Sequence, residues 1–183
     1  MNRIPSPGPS TCIPLANRPA VLERRGRLGD FEGDTVCGQP GSGALLTLVD
    51  RKSRFTRIRK LKDKTARRTH RKFREALNSL PTNKRRSATF DNGTEFARCQ
   101  RLEQHLGLQL YFADPGCPHQ RGTNENTNGL IRQYFPKGTD FHTVSHYEVR
   151  EVENLLNHRP RACLQFETPA AVFHRETTPI NCD

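Results

Sequence analysis

The chain predicts an α/β domain built on a mixed five-stranded sheet with helices packed against it. Three observations carry that expectation. The first is size: 183 residues suffice for one domain with short tails, and not for two independent cores. The second is the order of apolar patterns. Three strand-like runs come first, and helix and strand patterns alternate after them. The third is the character of the early runs. Residues 44–50, ALLTLVD, are nearly continuous in apolar side chains, as in a central strand. Only Arg51, Lys52 and Ser53 separate them from the run 54–59, so the two read as a hairpin. The first three strands are expected to be antiparallel, with two more added in parallel.

The elements follow in order. Residues 1–21 read as an irregular tail, broken by Pro5, Pro7, Gly8, Pro9, Pro14 and Pro19. At 31–36, Phe31, Gly33 and Thr35 alternate with Glu32 and Asp34, which is strand periodicity. After Asp63 the period becomes helical: Ala66, Thr69, Phe73, Ala76, Leu77 and Leu80 share one face, and Pro81 stops the helix. A short strand is expected at 87–91, a helix at 95–106 with Phe96, Leu102 and Leu106 inside, and a strand at 108–112. A Pro/Gly-rich loop leads to a helix over 123–134, and a last helix over 145–157 should pack Val149, Val152, Leu155 and Leu156. The domain is bounded at 22–175, with 176–183 as a tail.

Charge narrows the function. Lys and Arg total 30 against 19 acids, a net charge of +11, which favours a polyanionic partner, DNA or RNA first. No stretch approaches the roughly 18 apolar residues of a membrane span, and the start has no apolar leader core. Six scattered cysteines form no CxxC pair and suit a reducing cytoplasm. His142 and His146 are four apart but sit in no HExxH string, and no Walker or dinucleotide glycine loop is present. Zinc hydrolysis and dependence on ATP or NAD are therefore not indicated.

Three acids stand where elements begin or end. Asp34 lies in the first strand, with Glu32 on the same face. Asp91 closes a strand and opens the turn Asp91-Asn92-Gly93, at a sheet end where ligands bind in open α/β sheets. Glu125 sits in the first turn of a helix. Carboxylate oxygens are the donors Mg²⁺ and Mn²⁺ require. Each acid also has a plainer account, as turn former, dipole partner or edge carboxylate, and composition does not join them.

Longer strings do join them. The stretches Gly33-Asp34-Thr35-Val36, LLTLVDRKSR at 45–54, FDNGTEF at 90–96, YFADPGCPHQRGTNENTNGLIRQYFPKGTDF at 111–141, NHRPR at 157–161 and TPAAVF at 168–173 resemble bacterial insertion-sequence transposases of the IS-thirty group. That group lies in the DDE superfamily with retroviral integrases. Asp34, Asp91 and Glu125 fall on the motif's three carboxylates, and the gap of 33 residues between the last two fits the group. The resemblance implies an RNase H-like catalytic core in the bacterial cytoplasm at the nucleoid. It further implies Mg²⁺ or Mn²⁺, as two ions on the three acids, and DNA cleavage and strand transfer. Association with itself or with a full-length transposase is also implied. Members of the group carry an N-terminal helix-turn-helix, for which the Pro-rich chain before Gly26 is too short. A non-catalytic DNA-binding remnant is thus the second expectation.

Two basic features complete the reading. Asn128, Gly129 and Arg132 share a helix face with Glu125, and related transposases resemble this arrangement with a basic DNA contact at the Arg132 offset. Between 51 and 72 lie twelve Lys and Arg residues against Asp63 alone. Within that run Arg67, Arg68, Arg71 and Lys72 are expected to contact phosphates, although a solvated face explains such a run equally.

Overall fold

The structure is a computed structural model and describes residues 13–14, 19–91, 93–96, 101–113 and 122–175. Its strands are β1 (Ile13–Pro14), β2 (Asp30–Cys37), β3 (Ala44–Asp50), β4 (Thr56–Leu61), β5 (Ser87–Phe90) and β6 (Gln109–Phe112). They lie in the order β1-β6-β5-β2-β3-β4. β2, β3 and β4 form an antiparallel meander, and β5 and β6 extend it from β2 in parallel. This is the expected five-stranded mixed sheet. β1 is a two-residue parallel addition beside β6, contributed by the segment read as a tail.

The helices are α1 (Ala20–Glu23), α2 (Ala66–Asn78), α3 (Arg101–Leu106), α4 (Gly122–Ile131), α5 (His146–His158) and α6 (Pro169–His174). All seven residues of β3 are buried, which explains its unbroken apolar run: helices cover both faces. Leu46 and Leu48 pack with Phe31, Phe73, Leu77, Phe90 and Phe173 on one face. Leu45 packs with Val36, Ile58, Ile131, Val152 and Leu156 on the other.

The edge strand β4 is closed by α5 rather than by another strand. Asn157 accepts from the Thr56 N–H at 2.8 Å and donates to the Thr56 carbonyl at 2.8 Å. Glu153, only 5% exposed, accepts from the Ile58 N–H at 2.6 Å and from the guanidinium groups of Arg57 at 3.0 Å and Arg59 at 2.8 Å. Side chains thus supply the ladder partners that an edge lacks. Glu153→Ala should therefore cost about 2–4 kcal/mol, because it leaves the buried Ile58 N–H without its acceptor and removes the carboxylate that pairs with Arg57 and Arg59. Urea unfolding checks this, with the exposed Glu151→Ala as a control expected within about 0.5 kcal/mol of wild type.

Several expectations are corrected. Leu155 is 51% exposed, one position off the buried stripe of α5. The helix expected over 95–106 is a 3-10 turn at Thr94–Phe96 and the separate α3, with Leu102's side chain outside the described residues. α6 was not expected; Thr168 caps it by accepting from the Ala171 N–H, with Pro169 in its first turn.

Candidate catalytic site and nucleic-acid interface

β2 and β5 run in parallel with Asp30 opposite Ser87, Phe31 opposite Ala88 and Glu32 opposite Thr89. That pairing ends at Glu32 and Thr89; Asp34 lies two residues further along β2, and Asp91 directly follows the end of β5. The glycine between Glu32 and Asp34 has a packing reason. A Cβ at Gly33 would collide with the Phe90 ring, which lies across the strand there. Gly33 therefore lets the last residue before Asp91 pack beside the residue before Asp34.

Each aspartate is held by neighbours. Asp34 is half-buried; Oδ1 accepts from the Thr35 N–H at 2.8 Å and Oδ2 from the Asn128 amide at 2.8 Å. Asn128 is itself oriented by the Thr47 hydroxyl, which donates to Asn128 Oδ1 at 3.4 Å. Asp91 accepts from the Gly93 N–H at 3.0 Å, the turn expected of Asp-Asn-Gly.

Glu125 comes from α4. This helix buries Thr123, Asn124, Thr127 and Ile131 against the sheet. Asn128 is on the flank of that stripe, and Glu125 lies one turn before it on the same flank, exposed. Asn128 thus docks the helix face bearing Glu125 onto Asp34. Asp34, Asp91 and Glu125 carry hard oxygen donors of the kind Mg²⁺ and Mn²⁺ take. Among the described residues, no three His, Cys, Asp or Glu side chains stand close enough to hold an ion as they are.

Glu32, on the same strand face as Asp34, is not a fourth ligand. It is 1% exposed and paired with Arg51 at 2.8 Å, and it accepts from the Asn124 N–H at 3.2 Å. This buried pair anchors the first turn of α4. Asn124 is fully buried, so it is not a DNA contact; its side-chain amide has no partner among the described residues. Asn126 is exposed. His119 and Cys117 lie outside the described residues.

Arg132 shares the Glu125 flank, and its guanidinium is engaged. It donates to the Cys37 carbonyl at 2.6 Å and to the Phe135 and Pro136 carbonyls at 3.4 Å each. It ties the end of α4 to the end of β2. Lys64, which sequence reasoning placed only within the basic run, faces the acids. A hydrogen bond with the Cys37 side chain, then that group's charge, hold the Lys64 ammonium above its ordinary value, and Glu95 and Asp91 add to this.

The basic run divides in two. Arg51 is buried against Glu32, Arg57 and Arg59 serve Glu153, Arg54 donates to the Thr123 hydroxyl at 2.8 Å, and Lys60 donates to the Val144 carbonyl at 2.5 Å. These five have partners within the fold, Arg51 buried and the other four half-buried. Arg67, Arg71 and Arg74 project from the exposed face of α2 at four- and three-residue intervals. Arg68 and Lys72 are half-buried beside them and pair with Asp63 at 2.7 Å and Glu75 at 2.8 Å. Lys60, Lys62, Arg68, Arg71, Lys72 and His142 line a groove of about 440 Å³ next to this face.

A mixed sheet of this order, with acids on adjacent parallel strands and a third on the following helix, defines an integrase-type catalytic core. An integrase core domain matches residues 28–118. The fold agrees with the catalytic core of BIV integrase, at TM-score 0.63 and 15% identity over 80% of this chain and 94% of that one. It agrees also with a chain of the simian T-cell lymphotropic virus intasome solved with PP2A regulatory subunit B56 gamma, at TM-score 0.68 and 19% identity over 84% of this chain and 58% of that one. In sequence, the transposase InsI of element IS30C from Escherichia coli K12 is 44% identical over 162 residues, 88% of this chain and 42% of that protein. The transposase of IS4351 from Bacteroides fragilis is 42% identical over 161 residues, 88% of this chain and 49% of that protein. The chain belongs to the integrase-core transposases of the IS30 type. It spans less than half the length of these relatives.

Proposed function

We propose that this domain cleaves phosphodiester bonds of double-stranded DNA and joins the freed 3′ end to a target strand, with Asp34, Asp91 and Glu125 as the catalytic carboxylates. What supports this reading is the parallel pairing of β2 with β5, whose strands lead to Asp34 and Asp91, and the Asn128–Asp34 hydrogen bond that docks the helix bearing Glu125. The three carboxylates would hold Mg²⁺ or Mn²⁺, as two ions. When bound, such ions stabilise charge on the attacking and leaving oxygens.

The protein's own groups prepare that site. Asn128 and the Thr35 N–H hold the two Asp34 oxygens, fixing the carboxylate plane. The Gly93 N–H holds one Asp91 oxygen. Arg132 fixes the end of the Glu125 helix through main-chain carbonyls, so its contribution to DNA is through position. Exposed Arg67 and Arg71, with Arg68 and Lys72 beside them, supply phosphate contacts without reading bases. No described helix is long and apolar enough to cross a membrane. The site of action is the cytoplasm, at the nucleoid, where its DNA substrate lies.

The test is relaxation of supercoiled plasmid by purified protein. Nicking is expected with Mn²⁺, not with chelator, and not with Asp34→Asn under either condition. Equal nicking by Asp34→Asn and wild type would overturn the assignment. DNA binding without any nicking would favour a non-catalytic DNA-binding remnant that acts by occupying sites or engaging a full-length transposase.

A further inference from the structure

Asp34 and Asp91 belong to different strands, and Asp91 lies at the mouth of a turn outside the sheet ladder. The position of that turn sets the spacing of the two acids. The turn is anchored below by Phe96, fully buried, with its ring stacked 4.5 Å from Phe90. It is closed by the Phe96 N–H, which donates to the Gly93 carbonyl at 3.0 Å. Above, it is tied to β2 by one side-chain bond: the Thr35 hydroxyl donates to Glu95 Oε1 at 3.2 Å. The same Thr35 donates its N–H to Asp34 Oδ1. Thr35 therefore holds the Asp34 carboxylate with its backbone and the Asp91 turn with its side chain.

Glu95 also lies against Asp91 itself. A Cβ added at Gly93 would sit 2.5 Å from Glu95 Oε2 and 2.9 Å from Asp91 Oδ1, so both carboxylates border that glycine. Like charges this close repel. The Thr35 bond and the charge of Lys64, which Glu95 and Asp91 favour, oppose that repulsion.

We infer that Glu95 is a positioning residue: through Thr35 it clamps the Asp91 turn to the Asp34 strand and keeps the two acids at metal-binding separation. This rests on the catalytic assignment above. Glu95 has an acceptor's role in the clamp, so a neutral acceptor of the same length should serve nearly as well. A metal ligand could not be replaced in that way.

Nicking is measured against Mn²⁺ concentration for wild type, Glu95→Ala, Thr35→Val and Glu95→Gln. The Ala and Val variants should need about tenfold more Mn²⁺ for half-maximal rate, as expected when a partner that orients a metal ligand is lost. Their rates at saturating Mn²⁺ should stay close to wild type. Glu95→Gln should keep the wild-type Mn²⁺ requirement, because Gln Oε1 still accepts from Thr35. In metal-free protein, hydrogen exchange at the Phe96 amide should quicken by about tenfold in the Ala and Val variants and not in Gln. A Gln variant as impaired as Ala would replace the clamp with a direct role of the Glu95 charge. Unchanged Mn²⁺ requirement and exchange in Ala and Val would remove the inference altogether. If wild type shows no Mn²⁺-dependent nicking, the catalytic assignment fails, and the exchange comparison alone decides the clamp.

Discussion

Replacing Glu125 with Gln is expected to lower metal-dependent nicking by about three orders of magnitude, while DNA affinity stays level or rises slightly. Gln keeps the length and the helix propensity of Glu, so α4 and its buried stripe are untouched. What it removes is one negative donor of three. Glu125 is exposed on the flank of α4 and carries no part of the core. Loss of activity in this variant therefore reports on chemistry rather than on folding. Affinity should not fall, because a negative charge facing phosphate disappears. Rates from supercoiled plasmid, with affinities from fluorescence anisotropy on a short duplex, separate the two effects. Equal rates in Glu125→Gln and wild type would mean that the scissile phosphate is served by other residues.

The strands were legible because they rest on local pattern: β3 is seven apolar-rich residues, all buried. The long string at 111–141 then placed Glu125 relative to Asp91 with no need of structure. What was hidden depends on pairs far apart in the chain. Arg57 and Arg59 read as DNA-facing charge until Glu153 appears against them across the edge of the sheet. Arg51 reads the same way until Glu32 is found beneath it, 19 positions earlier. The Thr35–Glu95 bond spans 60 positions and follows from no periodicity. Arg132 illustrates a further limit. Its helical offset from Glu125 is correct, yet the carbonyls it meets belong to the ends of two elements brought together only by folding.

The second large effect is ionic. Because five residues of the basic run are spent inside the fold, DNA affinity should depend on the outward set: Lys62, Lys64, Arg67, Arg71 and Arg74, all exposed. If about five phosphates are neutralised, log affinity should fall with log salt at a slope of about −4 to −5. Raising salt from about 50 to 200 mM then costs two to three orders of magnitude in affinity. Replacing Arg67, Arg71 and Arg74 together by Ala should reduce that slope by about 2 to 3, since each lost contact removes about 0.9. Arg68→Ala should move it less than Arg67→Ala, because Arg68 is half-buried and already faces Asp63 at 2.7 Å. Glu153→Ala gives the converse result: Arg57 and Arg59 are released from their internal partner, so the slope should steepen even as stability falls. Titrations at several salt concentrations, on one duplex carrying an element end and one of scrambled sequence, measure all of these. The two duplexes should bind alike, because the arginine face of α2 meets phosphate and no described element is placed to enter a groove. A preference for one duplex above about a hundredfold, or a slope near zero, would show that affinity comes from base contacts rather than from this face.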